Sequence, residues 1–173
     1  MKAQLQLISV FLFTSLITAC GGAETNAATS PPPTATVANT QAKESAPLSE
    51  DKPFAEAHLI MQISDASNVN YQAVLDIANN LTKHYGGPDF VDIEVIAFGA
   101  GVPMLFAQDN INEERISSLI EHGVRFYVCG NTLDTIERKT GVKPKTLPGV
   151  TRVQTGVAFL VDEINRGYLH LHP

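Results

Sequence analysis

From His58 onward, apolar residues alternate between short continuous runs and segments where they recur every three or four positions. Runs of that length read as buried strands, and the 3.6-residue recurrence reads as helices with one apolar face. His58–Ser64 (HLIMQIS) is the first predicted strand. Tyr71, Val74, Leu75, Ala78, Leu81 and Tyr85 then share one helical face, with Ser67 or Asn68 as N-cap and Gly86 as the stop. Val91–Phe98 predicts a second strand that runs into Gly99-Ala100-Gly101, read as a loop extending to Phe106. A second helix begins near Asn110 or Asn112, turns Ile116, Leu119 and Ile120 inward and stops at Gly123. Val124–Cys129 is the third strand, followed by a shorter helix with Leu133 and Ile136 that ends at Gly141. After Pro144–Pro148 come a brief strand near Thr151–Gln154 and a helix capped by Thr155, in which Val157, Leu160, Val161 and Ile164 have the i, i+3, i+4, i+7 spacing of a buried face. Gly167 stops that helix and Tyr168–His172 is the fifth strand.

Strands alternating with helices build βαβ units, so the expected domain, residues 58–173, is an α/β Rossmann-like three-layer sandwich around a mainly parallel five-stranded sheet. Chemistry in such sheets collects beyond the carboxyl ends of the strands. That rule selects the loops 65–70, 99–106 and 129–132.

The first 57 residues have a different character. Leu7–Ala19 is an apolar run of 13 residues, short of the roughly 20 needed to span a bilayer, and it suits a cleavable signal, residues 1–19. Ile17-Thr18-Ala19-Cys20 resembles a lipobox, which implies diacylglycerol on the Cys20 thiol and cleavage before it; the alternative reading is an ordinary secretory signal cut near Ala19 or Ala23. With Gly rather than Asp at position 21, the sorting rule for such lipoproteins implies an outer-membrane anchor facing the periplasm. Residues 20–57 are then the lipidated N-terminus and a tether. Positions 21–53 hold Ala, Thr, Ser, Pro and Gly with almost nothing large and apolar, a composition that cannot offset its ordering entropy, and its mean span would be about 30 Å.

Charge narrows the partners. The chain carries 12 Lys and Arg against 18 Asp and Glu, a formal net charge of −6, with the basic residues scattered singly. No stripe exists to neutralise phosphates, so nucleic acid is not an expected partner.

Three stretches carry a family resemblance: FYVCGNTL (Phe126–Leu133), VIAFGAGVPML (Val95–Leu105) and the closing PGVTRVQTGVAFLVDEINRGYLHLHP (Pro148–Pro173). Together they resemble the DsrE/DsrF-like (YchN-like) family over essentially all of residues 58–173. The resemblance implies a Rossmann-like parallel sheet, a homo-oligomer (trimer or hexamer), and a cysteine that accepts and passes on sulfane sulfur as a persulfide. Cys129 is the matching residue.

Physical chemistry supplies a parallel reading of Cys129. It is the only thiol beside Cys20, and it stands where a strand gives way to a helix, whose free N–H groups stabilise a thiolate. A dithiol–disulfide cycle within one subunit is excluded once Cys20 is acylated. The competing reading is a buried cysteine serving as a small hydrophobe. Gly130, Asn131 and Thr132 follow, able to bind an anion through backbone N–H groups and side chains, or simply to cap the helix. Gly99 and Gly101 would line the same pocket. The Gly-Ala-Gly-Val run lacks the third glycine of a dinucleotide fingerprint. His170 and His172 lie two apart in a strand, but with no third ligand in sight a metal is not expected. His84 and His122 fall in the last turns of helices, where partial positive charge is favourable. No cofactor is implied. Two functions therefore stand: an exported sulfur carrier or sulfurtransferase-like protein using Cys129 and a small sulfur-containing anion or persulfide donor, or a non-catalytic oligomeric binding module of the cell envelope.

Overall fold

The computed structural model describes residues 52–173. The signal, Cys20 and nearly all of the segment read as a tether lie outside the described residues. Five strands form one sheet in the order β4-β3-β2-β1-β5, every pairing parallel: β1 (Ala57–Ile63), β2 (Val91–Ala97), β3 (Arg125–Cys129), β4 (Thr151–Val153) and β5 (Leu169–Leu171). The helices are α1 (Asn68–His84), α2 (Glu113–Glu121), α3 (Gly130–Thr140) and α4 (Gly156–Arg166). This is the α/β sandwich expected from the pattern. The chain joins the body slightly earlier than expected: β1 opens at Ala57, and the Lys52 ammonium donates to Val91 O at 3.0 Å and Gly123 O at 2.8 Å.

Strand order decides which helix covers which face. The links from β1 to β2, β3 and β4 all step toward the same edge, so right-handed crossovers lay α1, α2 and α3 on one face. The link from β4 to β5 returns across the whole sheet and puts α4 alone on the other. Packing agrees. Val91, Ile93, Val95 and Ala97 of β2 join Val74, Leu75 and Ala78 of α1, Ile116 and Leu119 of α2 and Leu133 of α3 in one core. Ile60, Ile96, Leu160 and Tyr168 form a second, smaller core beneath α4, flanked by Phe98, Tyr127, Val153 and Phe159.

One helix about 10 Å wide cannot cover five strands spaced about 4.8 Å apart. The expected inward face of α4 is accordingly corrected: Leu160 is buried, whereas Val157, Val161 and Ile164 are 51%, 49% and 40% exposed. Gly156 and Glu163 share the buried side with Leu160. On this face of the sheet β2 buries Asp92 and Glu94, and β3 places the half-buried Arg125 and Tyr127 beside them.

The start of α1 and the ends of α3 and α4 fall where the local signals put them. The Ser67 hydroxyl accepts from Asn70 N–H at the start of α1, and Gly141 and Gly167 terminate α3 and α4 with φ of +72° and +110°. Residues 99–105, expected to be a loop, form a 3₁₀ segment. The Gly101 N–H donates to Phe98 O at 3.1 Å, and the Asn110 side chain holds Met104 O and Phe106 O rather than capping α2. Asn112 takes the N-cap position of α2 without a side-chain bond.

Candidate functional site

Cys129 closes β3 and is itself the N-cap residue of α3. Its side chain lies on the α4 face of the sheet, because Phe126 and Val128 belong to the opposite core. Asn131 and Thr132 therefore sit inside the first turn of α3 rather than capping it. The Thr132 hydroxyl accepts from Gly99 N–H at 3.2 Å and lies near enough to the Cys129 sulfur to help lower its pKa, so the segment after β2 meets the thiol's surroundings through one side chain.

A donor from elsewhere completes the set. Gly156 opens α4, 27 residues further on, and its N–H points at Sγ from 3.3 Å. Two helix starts thus converge on one sulfur. Burial raises the thiol pKa, but hydrogen bonds from the Thr132 hydroxyl, the Gly156 N–H and the Thr132 and Asn131 N–H groups outweigh it, and the thiol titrates below its ordinary value. The Gln154 carbonyl lies 3.9 Å from Sγ, within reach of the thiol proton.

Contacts around the sulfur keep these donors in place. The Asn131 N–H donates to Gln154 O at 3.0 Å, the Gln154 amide to Asn131 Oδ1 at 2.7 Å, and the Asn131 amide to Thr155 Oγ1 at 3.1 Å. Arg152 pairs with Asp134 at 2.8 Å and lies so close to Gly130 that a Cβ there would meet Nε at 2.6 Å. Gly156 is tight against less movable atoms, since a Cβ would sit 3.0 Å from that of Cys129 and 3.1 Å from that of Phe98. With this packing Cys129 is only 6% exposed, less open than a strand-end loop position suggested. Its surroundings are nevertheless hydrogen-bond donors rather than apolar side chains alone.

Of the residues singled out in the sequence, Cys129, Asn131, Thr132 and Gly99 meet here, and Gly130 adjoins them. Gly101 does not; it packs on the backbone of Ile63. Gly156 was missed as a sulfur ligand, its only signal being a small residue directly after the predicted cap Thr155. His170 and His172 face each other at 6.3 Å between ring centroids, and no group of three or more His, Cys, Asp or Glu able to hold a metal occurs among the described residues. His84 lies in the last turn of α1, while His122 directly follows α2 with its Nδ1 2.7 Å from Ser118 O. No helix among the described residues is long and apolar enough to cross a membrane.

The same architecture occurs in a solved archaeal protein. The chain is similar to MTH1491 from Methanobacterium thermoautotrophicum, a protein described as of unknown function, with a TM-score of 0.60 and 26% identity over 68% of this chain and 100% of that one. No family model matches the sequence, and no curated protein matches it. The likeness to MTH1491 thus supports the α/β fold and carries no activity with it.

Proposed function

We propose that this protein is an exported sulfur carrier, with Cys129 accepting sulfane sulfur while Cys20 holds the chain to the cell envelope. One observation carries the reading: the Cys129 sulfur sits among donors from the starts of both α3 and α4, a setting that favours the thiolate. In the reaction the thiolate attacks the sulfane sulfur of a donor such as thiosulfate. A new S–S bond forms, the old one breaks, and sulfite leaves with the electron pair, giving a Cys129 persulfide anion with charge and atoms balanced. The low exposure of the thiol favours a small anion or a slim persulfide over a bulky donor. The test is the intact mass of the full chain after incubation with thiosulfate, polysulfide or glutathione persulfide. Gain of one sulfur on Cys129, removed again by a reducing thiol, is the expected result. A chain that never gains mass with any of the three donors would overturn it.

A second reading, a non-catalytic oligomeric binding module, draws on α4. Val157, Val161 and Ile164 form an exposed apolar stripe along α4. A homo-oligomer, trimer or hexamer, would cover it, and oligomerisation is compatible with either function. Replacing Val161 by Asp should shift the chain to monomer in sedimentation without loss of helix content. An unchanged sedimentation coefficient would place the subunit contact elsewhere or remove it.

A further inference from the structure

Beneath the same helix, toward the amino ends of the strands, lies a buried ionic cluster that sulfur chemistry does not use. Asp92 and Glu94 of β2 are 0% and 2% exposed. From β3, Arg125 Nη2 donates to both Asp92 oxygens at 2.6 Å and to the Tyr168 hydroxyl at 2.8 Å, and it reaches Glu94 Oε1 at 3.1 Å. Asp92 also receives the Tyr168 hydroxyl and has His58 Nδ1 of β1 at 3.4 Å. Glu94 is less well served. The Tyr127 hydroxyl donates to Oε1 at 3.2 Å, while Oε2 is buried with no hydrogen-bond partner. From α4, Glu163 adds a third buried carboxylate, held by Arg166 Nη1 at 2.8 Å. From the β5 side, His170 stands in the same row of the sheet, through the pairings of Glu94 with Ile60 and of Ile60 with His170. Lys52 lies at the rim, near enough to feel Asp92.

We propose that Glu94 is a proton-operated latch on α4: neutral, it lets the helix lie flat on the sheet, and once ionised it repels Glu163 and loosens the helix. An ionised carboxylate buried with one oxygen unpartnered is costly in such surroundings. Burial, reinforced by Glu163 and Asp92, outweighs Arg125 and the Tyr127 hydroxyl and raises Glu94 to about 7. Its folded value lies above its unfolded value, so the stability it contributes is full below the ordinary value of 4.5, declines as pH rises and is gone above about 7. The motion has a route to the thiol, because the Tyr127 ring rests 4.4 Å from that of Phe159, three residues after Gly156. That consequence rests on the thiolate reading of Cys129; the latch does not.

The experiment compares the full chain with its Glu94→Gln variant, reading Tm and amide exchange of residues 156–166 from about pH 5 to about pH 9. Relative to the variant, the wild-type chain should lose Tm between about pH 5 and about pH 7, with protection across α4 falling about tenfold beyond the ordinary base-catalysed rise. His58 and His170 are present in both proteins, so the difference belongs to Glu94. Parallel Tm and exchange curves would overturn the latch. Should Glu94→Gln fail to fold, carbon NMR of the wild-type Glu94 carboxyl decides: a midpoint near 7 with concurrent α4 shifts supports it, and a midpoint near 4.5 refutes it. Sulfur loading is not read here, so either proposal can fail alone.

Discussion

Cys129→Ser is expected to abolish sulfur loading while lowering stability by only about 1 kcal/mol. A serine hydroxyl fits the space and can accept from the Gly156 N–H that serves the sulfur. It cannot form a persulfide. In the wild-type chain, alkylation of Cys129 should stay fast below the ordinary thiol range, because the thiolate persists there. Thr132→Val removes the hydroxyl donor and should move the pH midpoint of alkylation upward. Intact mass and the pH profile of alkylation are the measurements. If the serine variant unfolds readily and the wild-type thiol resists both alkylation and loading, Cys129 is a packing residue and the binding-module reading takes its place.

Gly101→Ala should destabilise the domain by about 3 kcal/mol, the largest effect expected of a single added methyl group here. A Cβ at Gly101 would lie 2.3 Å from Ile63 O and 2.5 Å from Ile63 C, atoms of the β1 backbone that cannot rotate away. Either the 3₁₀ segment lifts off the sheet or β1 shifts against β2. Gly86 provides the control. It has nothing within 4 Å but adopts φ +87°, so alanine there costs only the backbone penalty of about 1 kcal/mol. Urea midpoints of the two variants separate contact from conformation. A Gly101→Ala midpoint close to wild type would mean the segment is not seated against Ile63 as described.

These two sites also show where local sequence information stops. The positions of all five strands and four helices follow from short-range pattern, since propensity, caps and glycine stops act within a few residues. Cys129, Asn131 and Thr132 are contiguous, so their meeting at a strand-to-helix junction was legible too. Gly156 was not, because its N–H reaches Sγ only after α4 folds onto the face that carries Cys129. The same fact reverses the reading of α4 itself. Its periodicity specifies an amphipathic helix but not which stripe faces the sheet, and the structure buries Leu160 and Glu163 while leaving Val157, Val161 and Ile164 outside.

Strand β2 makes the point most sharply. The sequence VDIEVIA shows a strand, and by itself says nothing about where Asp92 and Glu94 point relative to water. Being the middle strand of β4-β3-β2-β1-β5, β2 is covered on both faces, and the crossover from β4 to β5 supplies the second cover. The sequence by itself thus determined the elements, their order and the thiol at the end of β3, all properties set by neighbours along the chain. Only the tertiary structure decided the second helix start at the sulfur, the burial of Asp92 and Glu94, and the exposed stripe on α4. Each depends on a contact between segments far apart in sequence, and on one helix having to cover a sheet wider than itself.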